Sequence, residues 1–249
     1  MITAYHRPKT LDEALALLTQ PDTLPLGGGT LLSKPTNDSV QAVDLQLLGL
    51  NSLTKTGNNL EIGATTRLQA LLEAEHCPPA LKSALKLEAP LNLRNAATTA
   101  GTLVSCDGRS TFASVLLAMD AKILVNSSQG TEETINIGEF LPLREQVRKK
   151  LITKIVIPLN IKLAFEYVSK APSDKPLVCT ALAQWNSGRT RLALGGFSKA
   201  PMLAMDGTES EGIETAAKNA YHEATDEYAS AEYRMDVASK LAKRCLDRL

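Results

Sequence analysis

The amino-acid sequence predicts an α+β protein of about three subdomains. Its first half mixes capped helices with short strands. Residues 122–194 alternate apolar and polar side chains in the manner of an antiparallel sheet, and the helical pattern returns after Glu209. The 249 residues, of which 44% are hydrophobic and 22% are charged, are enough to bury a sizeable core.

Capping signals mark the N-terminal elements. Thr10 and Glu13 form a capping box ahead of a 3.6-residue apolar period, which predicts a first helix over residues 11–19. Thr66 and Gln69 form a second box ahead of a second helix, which a pair of prolines ends. Short apolar runs predict three strands, and a third helix follows the prolines; their ranges are Thr23–Leu26, Val40–Leu45, Leu60–Ile62 and residues 80–88.

The second half of the chain has a different pattern. Residues 94–110 are small and polar with almost no helical period, which predicts a loop, and Ser110 or Thr111 then caps a buried helix. Six runs predict one antiparallel sheet: Lys122–Val125, Thr134–Ile137, Leu151–Ile157, Ala164–Val168, Leu177–Trp185 and Arg191–Leu194. Ser230 caps a closing amphipathic helix whose basic side chains face outward.

The charge balance and the cysteines exclude several classes of protein. Lys and Arg together number 27, as do Asp and Glu, and this zero net charge argues against nucleic acid as a partner. The N-terminus lacks the apolar region of a secretory signal, and no apolar run is long enough to span a membrane. The four cysteines lie far apart, which disfavours disulfides, a metal site or an iron–sulfur cluster. These features favour a cytoplasmic protein.

The most informative local feature is the run Leu26-Gly27-Gly28-Gly29-Thr30 between a predicted strand and an apolar helical start. Successive N–H groups of such a glycine turn can converge on an anion such as a diphosphate, although a plain tight turn explains the run equally well. The spacing fits neither the P-loop nor the dinucleotide fingerprint, because Leu32 stands where each requires a glycine. A branched side chain at Gly28 is expected to block the ligand and leave the fold largely intact.

A second stretch, Leu93–Leu103, gathers hydroxyl groups and backbone donors beside a glycine. This composition suits contacts to phosphate or ribityl groups. It also suits a turn whose Asn and Thr side chains bond to their own backbone. Taken alone, the stretch leaves both interpretations open.

Together, the two stretches and their flanks resemble the FAD-binding (medium) subunit of molybdenum hydroxylases, the group that includes carbon monoxide and xanthine dehydrogenases. Five segments in the family's order carry the resemblance. They are Tyr5–Ala14 (P-x-[ST]-L-x-E-A), Leu26–Thr30 (the first flavin loop), Glu61–Thr66 (I-G-A-x-T), Arg94–Thr102 (the second flavin loop, R-N-x-A-T-[IVL]-G-G-N), and Leu194–Gly196 with Pro201 and the closing helix at Ser230–Arg234.

The resemblance implies the vanillyl-alcohol-oxidase (PCMH) type of FAD-binding fold. Two α+β subdomains, residues 1–55 and 56–160, would enclose FAD, and residues 161–249 would form a domain of a three-stranded antiparallel sheet and helices. The diphosphate would sit on the amides of both loops, with charge neutralised mainly by N–H dipoles. The implied cofactor-binding residues are Leu26, Gly27, Gly28, Gly29, Thr30, Leu31, Asn95, Thr98, Ala100, Gly101, Thr102, Asp107, Thr111 and Leu151, and no catalytic side chain or metal ligand is expected.

The implied function is that of an electron-transfer oxidoreductase subunit. An iron–sulfur subunit, itself served by a molybdopterin-binding large subunit, would supply electrons in a hetero-oligomer, and an external acceptor would receive them. The chain departs from the family pattern at Ala100-Gly101-Thr102, where the family has Gly-Gly-Asn, and at Thr111, where it has Asp, with Asp107 as a nearby substitute. These departures motivate a flavin-free scaffold with the same fold as an alternative. A free-standing flavin-dependent reductase is a weaker one.

Overall fold

The computed structural model describes residues 1–35, 37–144 and 149–249. The strands of the described ranges form three sheets. The first sheet is parallel with the order β1-β3-β2, and its strands are β1 (Ile2–His6), β2 (Thr23–Leu26) and β3 (Val40–Asp44).

The second sheet is antiparallel, with the order β4-β5-β8-β6-β7. Its strands are β4 (Leu53–Thr56), β5 (Asn59–Gly63), β6 (Lys122–Ser127), β7 (Glu132–Asn136) and β8 (Lys150–Pro158). The third sheet is antiparallel with the order β12-β11-β10-β9, and its strands are β9 (Ile161–Val168), β10 (Val178–Trp185), β11 (Thr190–Gly195) and β12 (Met202–Gly207).

Helices fill the connections between these strands and cover the sheets. Within the described residues they are α1 (Leu11–Leu18), α2 (Leu68–Glu73), α3 (Pro79–Glu88), α4 (Leu91–Arg94), α5 (Thr99–Ser105), α6 (Thr111–Ala118), α7 (Ile137–Leu143), α8 (Ile213–Asn219) and α9 (Ala231–Leu246).

The main core joins the second and third sheets. All eight residues of α6 are buried, and its six apolar residues lie in one cluster with Ile123 and Ile155 of the second sheet and Ala181 of the third. The opposite face of the third sheet packs against α8 and α9 through a separate cluster that includes Leu182 and Leu241. Because β10 is covered on both faces, Val178–Ala183 is a continuous buried run rather than an alternating one.

Local capping signals were reliable at some helix ends and not at others. The first capping box is confirmed, since the Thr10 hydroxyl accepts from Glu13 N–H at 3.3 Å and the Glu13 carboxylate accepts from Thr10 N–H at 3.4 Å. The second box is wrong. Arg67, not Thr66, is the N-cap of α2, because hydrogen bonds to the segment around Thr98 place the helix start one residue later.

The predicted single sheet over residues 122–194 is also wrong, because the chain changes sheets between Pro158 and Ile161. A period of two identifies strands but not their partners. The C-terminal sheet has four strands rather than three. The additional strand, β12, is an edge strand that follows Pro201 and pairs with β11 across a register shift at Leu192/Ala193, so its apolar pattern is weak.

The stretch at 94–110 is not a continuous loop, because it contains the helix α5. The Thr98 hydroxyl caps this helix by accepting from Gly101 N–H at 3.2 Å. Contacts with a distant strand end override the low helix propensity of Thr and Gly: Thr99 donates its hydroxyl to Gly63 O at 3.1 Å, and Ala100 N–H donates to Ala64 O at 3.1 Å. The caps predicted for the later helices are confirmed at Ser110 and Ser230.

Candidate cofactor site

A cleft of about 440 Å³ opens where the first and second sheets meet. The chain contributes four segments to it. They are the glycine turn after β2, the segment between β3 and β4, the end of the I-G-A-T segment (residues 61–66, at and after the end of β5) with the residue that follows it, and the turn between α4 and α5. The lining residues are Leu26, Gly27, Gly28, Gly29, Gln46, Asn51, Thr65, Arg67, Asn95, Ala96 and Thr98.

The glycine turn presents unpaired backbone donors. Leu26 ends β2 and accepts from Leu45 N–H at 3.1 Å, after which the chain leaves the sheet. Gly29 has φ of +72°, a left-handed conformation that glycine adopts without a β-carbon penalty. Across the described ranges, none of the N–H groups of Gly27, Gly28, Gly29 and Thr30 donates a hydrogen bond to another part of the chain. Adjacent free N–H groups around a left-handed residue form an anion-binding nest.

The glycines also let the two loops touch. A β-carbon on Gly28 would lie 1.9 Å from Ala96 O, and one on Gly27 would lie 2.8 Å from the Thr98 hydroxyl. The first loop therefore packs backbone to backbone against the second. This close approach accounts for two of the three glycines without any ligand.

Arg94 fixes the start of the second loop. Its guanidinium donates to the Gln69 side chain at 2.9 Å and to the carbonyls of Lys86 and Ala89 at 3.2 and 2.7 Å. These bonds tie α4 to α2 and to the end of α3. Asn95, the next residue, is thereby held at the cleft while its own side chain stays exposed.

The I-G-A-T segment holds the second loop from the other side. Besides the bonds that Gly63 and Ala64 accept from α5, Thr99 N–H donates to Thr66 O at 2.8 Å and Leu68 N–H donates to Ala97 O at 3.0 Å. This short antiparallel bridge pairs Arg67 with Thr98. These hydrogen bonds position Thr65, Arg67 and Thr98 around the same cleft.

Comparison with known proteins identifies this arrangement. Residues 1–160 match the family model described as the FAD binding domain in molybdopterin dehydrogenase. The chain belongs to this family. It is an FAD-binding oxidoreductase subunit of the molybdenum hydroxylase type, as the sequence motifs predicted.

Similar proteins share nearly the whole chain. The uncharacterized protein YgfM of Escherichia coli K12 is 29% identical over 250 residues, covering 97% of this chain and 94% of its own length. The glyceraldehyde dehydrogenase medium chain of Sulfolobus acidocaldarius is 30% identical over 220 residues, covering 82% of this chain and 78% of its own length. The structure of a Cu,Mo-CO dehydrogenase superposes with a TM-score of 0.81 at 22% identity, covering 100% of this chain and 97% of that one, which confirms the predicted fold class.

Six of the implied cofactor-binding residues line the cleft of this family member: Leu26, Gly27, Gly28, Gly29, Asn95 and Thr98. Thr30 and Leu31 follow directly on the first loop, and Leu31 is exposed. Ala100, Gly101 and Thr102 lie in the first turn of α5. Ala100 directs its methyl group to the main core rather than to the cleft.

Three further implied residues lie away from the cleft. Asp107 pairs with Lys175 at 2.7 Å and is exposed. Leu151 is buried in a small core with Leu15 and Leu18. Thr111 is 1% exposed and donates to Ala84 O at 2.7 Å. We therefore leave Thr111 and Leu151 out of the proposed site, because neither side chain is available to a ligand.

A half-buried acid, Glu88, explains the environment of Thr111. Oε2 of Glu88 accepts from the Thr111 hydroxyl at 3.1 Å, the Ser110 hydroxyl at 2.9 Å and Phe112 N–H at 2.9 Å. Burial raises the pKa of Glu88, and the hydrogen bonds from Phe112, Ser110 and Thr111 offset part of that effect. Glu88 is thus a structural cap of α6.

Sequence reasoning missed the cleft residues Gln46, Asn51, Thr65, Arg67 and Ala96. Thr65 and Ala96 lie inside segments that carry the family resemblance, so the sequence could have indicated that they line the cofactor site. Gln46 is the first residue of a short 3-10 turn and donates its N–H to the buried Asp44 carboxylate at 2.9 Å, and Asn51 follows this turn. No local motif marks either residue.

The cleft is polar and almost uncharged. In the parts of the chain described, the side chains of Gln46, Asn51, Thr65, Arg67 and Asn95 make no hydrogen bond with the protein. Arg67 carries the only charge among the lining residues. Free amides, hydroxyls and unpaired N–H groups fit the diphosphate and sugar-like chain of FAD, so the residues present suit the family's cofactor.

Among the helices of the described ranges, none is both long enough and apolar enough to cross a membrane.

Proposed function

We propose that this chain is the electron-transfer subunit of a molybdopterin-dependent dehydrogenase. In this proposal it stands between an iron–sulfur subunit and an external electron acceptor. The names of its relatives support a place within a complex, since several are medium chains or subunits of dehydrogenases. The substrate would be oxidised on a molybdopterin-binding large subunit of the same hetero-oligomer.

The observation that carries the proposal is the set of unpaired N–H groups on Gly27, Gly28 and Gly29, which line the same cleft as the second loop. These groups would hold the FAD diphosphate beside Thr98 of the second loop, whose hydroxyl lies against Gly27. Gln46, Asn51, Thr65 and Asn95 offer hydrogen bonds to the hydroxyl groups of the ribityl and ribose units.

Bound FAD supplies the redox chemistry. The protein's own part is to bind and orient it. Among the residues that the structure describes, the cleft lining includes no His, Cys, Asp, Glu or Lys, and therefore no side chain suited to proton transfer near neutral pH. This lining agrees with a subunit that relays electrons and leaves substrate chemistry to a partner.

The proposal extends to domain organisation and location. We propose domains at residues 1–55, 56–160 and 161–249, a division supported by three sheets whose strands fall within residues 2–44, 53–158 and 161–207. A cytoplasmic location is supported by the cysteines Cys77, Cys106, Cys179 and Cys245, which are all free and buried.

The flavin-free alternative was motivated by the altered second loop, where Ala100 and Thr102 replace a family glycine and asparagine. The position of Ala100 supports FAD binding rather than this alternative. Ala100 is helical, its N–H is bonded to Ala64 O, and its methyl group contacts the core. The substitution therefore leaves the cleft open.

The experiment is affinity purification of the tagged full-length chain from the cells that produce it, followed by analysis of FAD, iron and molybdenum. We expect all three to co-purify with the chain, together with two further polypeptides. Tagged Gly28→Ala from the same cells serves as a control for flavin carried by this chain, and its preparation should contain less FAD per chain than wild type. Recovery of the chain with FAD but without iron and molybdenum would contradict the subunit function and favour a free-standing reductase.

A further inference from the structure

Arg67 is the one charged residue among the described residues that line the cleft, and its position points to a specific role. A diphosphate carries two negative charges. The sequence assigned their neutralisation mainly to N–H dipoles, because the predicted contacts at residues 27–30 and 98–102 carry no charged side chain. We propose that Arg67 is the counter-charge that binds the FAD diphosphate. This inference rests on the proposed function and assigns one of its binding contacts.

Arg67 is held next to both diphosphate loops by its backbone. The hydrogen bonds from Thr99 N–H to Thr66 O and from Leu68 N–H to Ala97 O flank it on both sides and pair it with Thr98. Thr98 in turn packs against Gly27. The base of the Arg67 side chain is therefore fixed, while the side chain itself remains exposed on the cleft wall.

The guanidinium of Arg67 is also free to bind a ligand. Eight other described arginines donate hydrogen bonds or form ion pairs within the protein: Arg7, Arg94, Arg109, Arg144, Arg189, Arg191, Arg234 and Arg248. Among the described residues, only Arg67 and Arg244 do neither. Arg244 lies in the last turn of α9, far along the chain from the cleft-lining segments.

The chemistry of the group suits the ligand. A guanidinium presents N–H donors in a planar fork that matches two oxygens of a phosphate, and it stays charged at every accessible pH. A lysine at the same position would supply the charge without the fork. The N–H groups of the glycine loop and the Arg67 guanidinium would thus bind the diphosphate from separate elements.

The test compares FAD binding by the full-length apoprotein and its variants. Wild type, Arg67→Gln, Arg67→Lys and the matched control Arg244→Gln are titrated with FAD, following flavin fluorescence, and ADP and adenosine are used as competitors. We expect Arg67→Gln to weaken FAD and ADP binding about ten- to one-hundredfold, as loss of one charge-assisted hydrogen bond does. Adenosine binding should be unchanged, Arg67→Lys should be intermediate, and Arg244→Gln should match wild type.

A second measurement is the salt dependence. Raising NaCl from about 0.05 M to about 0.5 M should weaken FAD binding to wild type more than to Arg67→Gln, because the ions screen the charge pair. A thermal melt of each apoprotein confirms that the variants are folded.

The outcomes separate the inference from the proposed function. If wild type binds FAD and Arg67→Gln binds it equally well, the role of Arg67 is overturned and FAD binding stands. If adenosine is weakened as much as ADP, Arg67 contacts the nucleoside, which also overturns the inference. If folded wild type binds no FAD at all, the proposed function fails and the inference fails with it.

Discussion

Gly28 lies with its Cα directly against the carbonyl oxygen of Ala96, so that a β-carbon at position 28 would stand 1.9 Å from that oxygen. This contact joins the two loops that resemble the flavin loops of the family. A side chain at position 28 would therefore collide with the second loop whether or not a ligand is bound. The expectation that substitution here would leave the fold intact is wrong, because the colliding atom belongs to the backbone and cannot rotate away.

Gly28→Ala should both weaken FAD binding and destabilise the protein. The loops must separate to admit the methyl group, and overpacking of this kind costs about 1–3 kcal/mol. We expect the free energy of unfolding in urea to fall by this amount and FAD affinity to fall at least about tenfold.

Gly57→Ala is the matched control for that variant. Gly57 has φ of +58° in the turn between β4 and β5, and a β-carbon there would meet no atom of the described residues within 4 Å. Alanine there costs about 1–2 kcal/mol of backbone strain, but FAD affinity should not change. Equal stability of Gly28→Ala and wild type would contradict the contact between the loops, and equal FAD affinity would contradict FAD binding at this turn.

Restoring the family glycine with Ala100→Gly should not improve the site. Ala100 is helical and its methyl group packs on the core, so the change should lower the free energy of unfolding by about 0.5–1 kcal/mol. FAD affinity, measured by titration of the apoprotein, should stay within about twofold of wild type. A tenfold gain in FAD affinity would show that Ala100 impairs the second loop after all.

Thr98→Val tests the start of the second loop. Thr98 is 5% exposed, and its hydroxyl accepts from Gly101 N–H at 3.2 Å. Valine keeps the shape but leaves the amide without an acceptor, so urea unfolding should show a loss of about 1 kcal/mol. Thr98→Ser retains the acceptor and serves as the control. If the two variants are equally stable, the hydroxyl is not the cap.

The half-buried acid Glu88 should make stability depend on pH. Burial raises its pKa, so folding favours the protonated form. That contribution is fully present below the ordinary pKa of 4.5 and is lost as the pH rises through the folded-state pKa. Glu88→Gln can keep the three hydrogen bonds on its oxygen, so its stability relative to wild type should increase over that window, as measured by urea unfolding at a series of pH values.

Glu61→Gln provides a control of opposite sign. The hydrogen bond from Lys154 lowers the pKa of Glu61, so wild type should gain stability over this variant as the pH rises from the folded-state pKa of Glu61 to the ordinary value of 4.5, a window below that of Glu88. A stability difference between Glu88→Gln and wild type that does not vary with pH would contradict the burial effect.

The sequence predicted those features that depend on neighbouring residues. The capping box of Thr10 and Glu13, the strand before the glycine turn and the cap at Ser230 are local, and all are confirmed. The glycine turn itself was recognisable because three consecutive glycines have few structural explanations.

Features that depend on distant contacts were not predictable from local patterns. The helix α5 forms because Gly63 and Ala64 accept hydrogen bonds from it, although they stand more than thirty residues earlier. Arg234 was assigned to an ordinary amphipathic helix, yet it is fully buried and donates to the carbonyls of Leu177 and Ala229. The position of Arg67 at the cleft could not be predicted either, because it depends on the bridge that pairs Arg67 with Thr98.

The most direct test of the account is the FAD stoichiometry of the full-length chain alone. The purified protein is titrated with FAD, unbound flavin is removed, and bound flavin is quantified by its absorbance after release. We expect a single FAD per chain, displaced by ADP because the proposed site places the diphosphate between the two loops. A chain that melts cooperatively yet retains no FAD after titration would contradict it.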